Sequence, residues 1–171
     1  MKERTGVITM KGAPLTLVGE SLKVGSMAPD CTVLDNDLKP VRLSSFRGKP
    51  CIIASVPSLD TPVCDLETRR FNKEAAGLGV DFQVLTISMD LPFAQKRWCG
   101  AAGIDRVKTL SDFNDASFGT AYGVLIKELR LLARTVFVID RKGAVTYIQI
   151  VNEVAHEPDY DAVLKEARKL A

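Results

Sequence analysis

Val56-Pro57-Ser58-Leu59-Asp60-Thr61-Pro62-Val63-Cys64-Asp65-Leu66 is the stretch on which the fold turns. The apolar run 51–56 leading into it has strand character and stops at a proline. A short polar turn follows, and then a helix-start signal. Thr61 suits an N-cap, and Pro62 suits the first helical position, where a missing N–H has no partner to lose. Cys64 then falls in the first turn, among backbone N–H groups that are unpaired and carry partial positive charge. A thiol placed there is stabilised as thiolate, the reactive form. A cysteine in a helix is otherwise a small buried hydrophobe. Strand, tight turn, capped helix and first-turn cysteine in succession favour reactivity.

Working outward, Val63, Leu66, Phe71, Ala75 and Leu78 recur at helical spacing, with Asp65, Glu67, Arg69, Lys73 and Glu74 on the other faces. Gly77 and Gly79 end that helix. Residues 82–88 are a mostly apolar strand suited to a covered parallel sheet. Asp90 is expected to cap the next helix, which has Pro92 in its first turn and runs through Trp98 and Cys99 to Gly100. A short strand near 107–110, a helix near 116–122, an antiparallel hairpin (135–139 with 144–151) and a last helix complete the chain. That last helix carries Tyr160, Val163, Leu164 and Ala167 on one face, with acids at its start and bases at its end. Upstream, 7–10 and 15–18 flank a turn and read as a hairpin; a short strand over 31–34 is paired by 41–43. Right-handed crossover makes the first βαβ unit parallel, and the late hairpin adds an antiparallel edge. The expectation is one α/β domain over residues 1–171: a thioredoxin-like fold with a βαβ-α-ββα core and an N-terminal β-hairpin extension. In that arrangement the loop after the first core strand is the usual reactive position, and Cys64 stands there.

The chain has 171 residues, 46% hydrophobic and 26% charged, which suits one globular domain. Lysine and arginine number 23 against 21 acids, a net charge of +2, with no basic run or aromatic–basic interleaving. Nucleic acid and anionic membrane are therefore not expected partners. No signal peptide or membrane span is visible, so the expected location is cytoplasmic. Cys31, Cys51, Cys64 and Cys99 are too sparse for a disulfide scaffold and lack zinc-knuckle spacing, and there is no C-x-x-C. In a reducing compartment a cysteine pair here reads as redox chemistry. Cys31, in an expected strand, and Cys51, at the start of another, read as core residues. His156, the only histidine, reads as a surface loop residue.

Pro57, Thr61 and Cys64 fit Pro-x-x-x-Thr-x-x-Cys, the motif of peroxiredoxins. The wider run PSLDTPVCDLETRRFN resembles the thiol peroxidase branch, the atypical two-cysteine peroxiredoxins of bacteria. DLPFAQKRWCG at 90–100 and AYGVLIKELRLLARTVFVID at 121–140 resemble the same family, and the likeness runs from about Thr9 to Leu170. It implies a cysteine peroxidase acting on hydrogen peroxide and alkyl hydroperoxides, working without metal, haem or flavin, reduced by thioredoxin and assembled as a homodimer. It implies resolution of the oxidised Cys64 by Cys99, with Trp98 where the family often has Phe. Read from residues alone, Cys99 is equally buried filler. The resemblance carries the active-site arginine to Arg134 and not to Arg130. On its own, Arg134 at the head of an apolar run either snorkels to solvent or is a cation held beside a thiolate. Thr61 is an N-cap, or a hydroxyl bonding thiolate or peroxide; Pro57 terminates a strand, or shapes a pocket. Two rivals stand beside this reading. A thioredoxin-type disulfide oxidoreductase lacks its second cysteine, and a redox sensor is left open.

Overall fold

All five residues of the first core strand are buried, as a near-continuous apolar run predicts for a strand covered on both faces. In the computed structural model, which describes residues 1–171, this strand is β5 (Cys51–Ser55). It is preceded by β1 (Glu3–Met10), β2 (Ala13–Val18), β3 (Thr32–Leu34), β4 (Pro40–Arg42) and a 3₁₀ turn over Leu43–Phe46. After it come α1 (Pro62–Leu78), β6 (Gln83–Ser88), α2 (Pro92–Ala102), β7 (Lys108–Ser111), α3 (Ser117–Ala121), β8 (Leu125–Ile126), β9 (Leu131–Leu132), β10 (Thr135–Ile139), β11 (Val145–Ile150) and α4 (Tyr160–Arg168).

The main sheet has seven strands in the order β11-β10-β5-β6-β7-β3-β4. β5, β6 and β7 are parallel, as right-handed crossovers through α1 and α2 require. β10 runs antiparallel to β5, with Thr135 opposite Ser55, and β11 is the antiparallel edge. This is the expected core order. The alternation of side chains then makes two apolar layers. Ile52, Ala54, Val84, Val136 and Val138 face one side, against Phe71, Ala75 and Leu78 of α1 and Val163, Leu164 and Ala167 of α4. Cys51, Ile53, Leu85, Ile87 and Phe137 face the other, against α3 and a second sheet ordered β1-β2-β8-β9. The N-terminal hairpin is thus half of that second sheet. Its other half, two strands of two residues each, is too short to show a period. No helix is long and apolar enough to cross a membrane.

Three local expectations are corrected. Cys31 lies just before β3, which begins at Thr32, although it is buried in the core as expected. Leu66 is 54% exposed, whereas Glu67, expected on a solvated face, is fully buried. The phase of α1 is set by Phe71, Ala75 and Leu78, and stepping back by three and four residues selects Thr68, Glu67 and Cys64. A carboxylate is tolerated in that stripe because a cation faces it. Asp90 does not cap α2: the N-cap is Leu91, held extended as a residue before proline must be.

Candidate active site

Cys64 occupies the third position of α1, with Thr61 as N-cap in extended conformation and Pro62 first. It is fully buried in a small cluster with Val56 and Leu59, and Trp98 of α2 packs against that cluster. Any contact between its sulfur and a small molecule therefore requires the surrounding turn or Trp98 to shift. Arg134 enters beside the end of β5, at the head of β10, and is 2% exposed. Its snorkelling alternative is excluded by that burial. Nη2 donates to Cys64 Sγ at 3.2 Å and to the Val154 carbonyl at 3.0 Å; Nε donates to the same carbonyl at 3.1 Å. Nη1 reaches Glu67 Oε2 at 2.5 Å. The guanidinium fork is thus fixed on three sides, which a lysine could not reproduce. Burial pushes the Glu67 carboxyl up to about 7 against the pull of Arg134, while Glu67 and Cys64 raise Arg134 against its desolvation.

Thr61 serves as N-cap by its backbone only. Its side chain caps no N–H; Oγ1 donates to the Ser58 carbonyl at 2.9 Å, and the Thr61 N–H reaches that carbonyl at 3.1 Å. With its proton directed there, Oγ1 has its lone pairs to offer elsewhere. Pro57 is buried immediately after the strand run. Cys99 sits near the end of α2, half-buried, with Sγ 3.3 Å from Thr109 Oγ1, which itself donates to Asn36 Oδ1 at 3.1 Å. Trp98 turns the other way and donates from Nε1 to Asp65 Oδ1 at 2.9 Å. Arg134 is thus brought onto Cys64, three residues after the N-cap Thr61, whereas Cys99 forms no disulfide with it: all four cysteines are free thiols. Burial, with Asp112 and Asp30 nearby, pushes the Cys31 thiol up to about 12, and burial raises Cys51 too. Both lie in the core, and His156 is exposed. No group of three or more His, Cys, Asp or Glu side chains is arranged to hold a metal ion.

Comparison with known proteins gives the family. The family model described as Redoxin matches residues 23–164. The thiol peroxidase of Bacillus subtilis (strain 168) is 58% identical over 163 residues, covering 95% of this chain and 97% of its own. The chain belongs to the thiol peroxidase family. The thiol peroxidase of Oceanobacillus iheyensis is 57% identical over 162 residues, covering 95% of this chain and 98% of its own. Among solved structures, a peroxiredoxin-like protein from Aquifex aeolicus superposes with a TM-score of 0.91 at 44% identity, over 98% of each chain. A thiol peroxidase from Chromobacterium violaceum superposes at 0.83, with 21% identity over 96% of this chain and 98% of that one, a likeness of fold. The thioredoxin-like fold of this thiol peroxidase is thereby shown.

Three parts of the site are not evident from the motif. Glu67 orients Arg134, and only the helical phase projected back from Phe71 points to it. The Val154 carbonyl takes two Arg134 donors, and the next residue back, Glu153, is tied to the N-terminal hairpin through Thr9 Oγ1 at 2.7 Å and the Lys11 N–H at 3.0 Å. Asp90 accepts from Ser58 Oγ at 2.6 Å, the Leu59 N–H at 2.8 Å and Ser88 Oγ at 2.7 Å. Its spacing to Pro92 suggests a cap, but the carboxylate turns back onto the loop that precedes Cys64.

Proposed function

We propose that this thiol peroxidase reduces hydrogen peroxide and alkyl hydroperoxides at Cys64, with Cys99 resolving the oxidised sulfur and thioredoxin restoring both thiols. The observation that carries this reading is the buried Arg134 Nη2, 3.2 Å from a cysteine sulfur in the first turn of a helix. Guanidinium and helix N-terminus both favour the thiolate. The thiolate attacks the terminal oxygen of the hydroperoxide. An S–O bond forms, the O–O bond breaks, and the leaving oxygen takes the electron pair and a proton to depart as water or alcohol. Thr61 Oγ1, its own proton held by Ser58, accepts from the hydroperoxide O–H and aligns it, while Arg134 N–H groups take up charge on the leaving oxygen. Pro57 shapes the turn and helps keep water out.

Cys64 is then a sulfenic acid, two electrons oxidised. The Cys99 thiol condenses with it, forming a disulfide and releasing water. Because Cys99 is lodged against Thr109 while its neighbour Trp98 packs on the Cys64 cluster, α2 must turn or unwind for the sulfurs to meet. Thioredoxin, a dithiol, reduces the bond by exchange, and no metal, haem or flavin takes part. The chain acts as one domain over 1–171, as a homodimer, in the cytoplasm; sedimentation equilibrium tests the dimer.

The deciding experiment is peroxide consumption coupled to thioredoxin, thioredoxin reductase and NADPH. Cys64→Ser is expected to lose turnover. Cys99→Ser is expected to consume one equivalent of peroxide per chain and then accumulate sulfenic and sulfinic acid on Cys64. Full turnover in the first variant, or normal recycling in the second, overturns the assignment.

A further inference from the structure

We propose that Asp90 is a positioning residue for the first chemical step, setting the Thr61 hydroxyl through Ser58; this rests on the role given to Thr61 above. β5 and β6 are parallel neighbours, and the Val56 N–H still bonds the Ile87 carbonyl at 3.0 Å. The segments leaving their C-terminal ends, 57–61 and 88–90, therefore lie side by side. Asp90 is the tie between them. One carboxylate oxygen takes Ser58 Oγ; the other takes the Leu59 N–H and Ser88 Oγ. Three donors on two oxygens from two segments fix the peptide between Ser58 and Leu59 in space. The carbonyl of that peptide is the one that receives both the Thr61 N–H and Thr61 Oγ1–H. A turn of this peptide would carry the Thr61 proton with it and redirect the lone pairs offered to substrate.

The tie is itself anchored. Ser88 is fully buried, and its Oγ accepts from Gln95 Nε2 at 3.0 Å; Gln95, also fully buried, donates to the Leu110 carbonyl at 2.8 Å as well. Ser111 Oγ donates to the Asp90 carbonyl. No hydrogen bond or ion pair joins Asp90 to Arg134, so its effect on Cys64 chemistry runs through the 58–61 turn. Leu59, held by the same carboxylate, packs on Cys64, so loosening the tie also opens access to the sulfur. Alkylation needs only access and thiolate, whereas peroxide reduction needs an aligned Thr61. The two reactions are therefore expected to separate.

The test uses the full chain in a Cys99→Ser background, with hydrogen peroxide and iodoacetamide as probes and mass spectrometry after rapid quenching as readout. Asp90→Asn turns one acceptor into a donor facing donors, and is expected to slow Cys64 oxidation by about tenfold or more without slowing its alkylation. Ser58→Ala, which removes that donor and the acceptor of the Asp60 N–H at 3.2 Å, leaves the Leu59 and Ser88 donors in place and gives a smaller change with the same separation. If Asp90 acts through Thr61, Asp90→Asn with Thr61→Val is no slower than Thr61→Val alone. Oxidation within twofold of the parent in both Asp90→Asn and Ser58→Ala overturns the proposal. So does oxidation and alkylation falling in parallel, or full additivity with Thr61→Val. Should the Cys99→Ser parent itself fail to react with peroxide, it is the peroxidase reading that fails.

Discussion

At the scale of single residues the site is a chain of polar contacts, Glu67–Arg134–Cys64, all buried. Glu67 carries the pH dependence. Burial raises its folded value to about 7, above its ordinary 4.5, with Glu157 adding repulsion and Arg134 opposing. The folded chain then binds the extra proton between those values, so the contribution of Glu67 to stability is fully present below about 4.5 and is lost as pH rises through about 7. Glu67→Gln is expected to flatten that segment of a pH series of urea melts, a change on the order of 1–3 kcal/mol. An unchanged slope would place the titration elsewhere. Arg134→Lys keeps a charge but not the fork, and Arg134→Met keeps neither. Peroxide rates should fall in both, more in the second, by about a hundredfold or more. Wild-type rates in both would remove Arg134 from the chemistry. The place of Cys64 in the first turn of α1 was legible because strand, turn and helix start are local signals, whereas Arg134 read alone left two alternatives and only the family resemblance set it beside the sulfur. Glu67 was not legible, since a glutamate on an amphipathic helix ordinarily faces water, and only its partner, 67 positions on, reverses that.

Among the elements, α2 is held unequally at its two ends. Its first half is pinned by Gln95, buried with both Nε2 bonds inside the protein. Its second half is held by a partly exposed clasp on α1: Asp65 takes Trp98 Nε1 at 2.9 Å and Arg69 Nε at 2.8 Å, and the Arg69 guanidinium lies 5.8 Å over the indole. Clasps of this partly exposed kind contribute about 1 kcal/mol. On oxidation, amide exchange is therefore expected to rise over 97–103 and stay low over 92–95. Asp65→Ala should speed disulfide formation roughly threefold to tenfold and lessen sulfinic acid at high peroxide. Disulfide formation at the wild-type rate would mean that the clasp does not limit the motion. The existence of α2 was legible from Pro92 and its apolar spacing, but the side-chain ties at its two ends were not. They depend on which strands lie side by side, as with Asp90, whose spacing to Pro92 suggested a cap while its donors come from the loop after β5 and the end of β6. β8 and β9 were equally hidden, since two-residue strands have no period and exist only because β2 is there to pair with.

For the molecule as a whole, oxidation sets chain entropy against packing. Closing the loop from Cys64 to Cys99 restricts the unfolded chain and would stabilise the fold by roughly 4 kcal/mol. Against this, the proposed resolution by Cys99 takes Cys64 out of a fully buried cluster and Trp98 off its place on it. Those two losses of apolar burial amount to about 2–4 kcal/mol. Arg134 also loses its sulfur partner while remaining buried, which costs about 1.5–3 kcal/mol for a charged hydrogen bond. The last turn of α2 gives up its clasp besides. Packing, the Arg134 hydrogen bond and the clasp together outweigh the loop closure, so the oxidised protein is expected to melt below the reduced one, by roughly 2–6 °C for a chain of this size. Scanning calorimetry on protein held in dithiothreitol, and on protein treated with one equivalent of hydrogen peroxide, measures the difference. Cys99→Ser, which cannot close the loop, isolates the effect of oxidising Cys64 alone. A higher melting temperature in the oxidised wild type would mean that the bond forms with the packing around Cys64 and Trp98 preserved, and that α2 does not unwind.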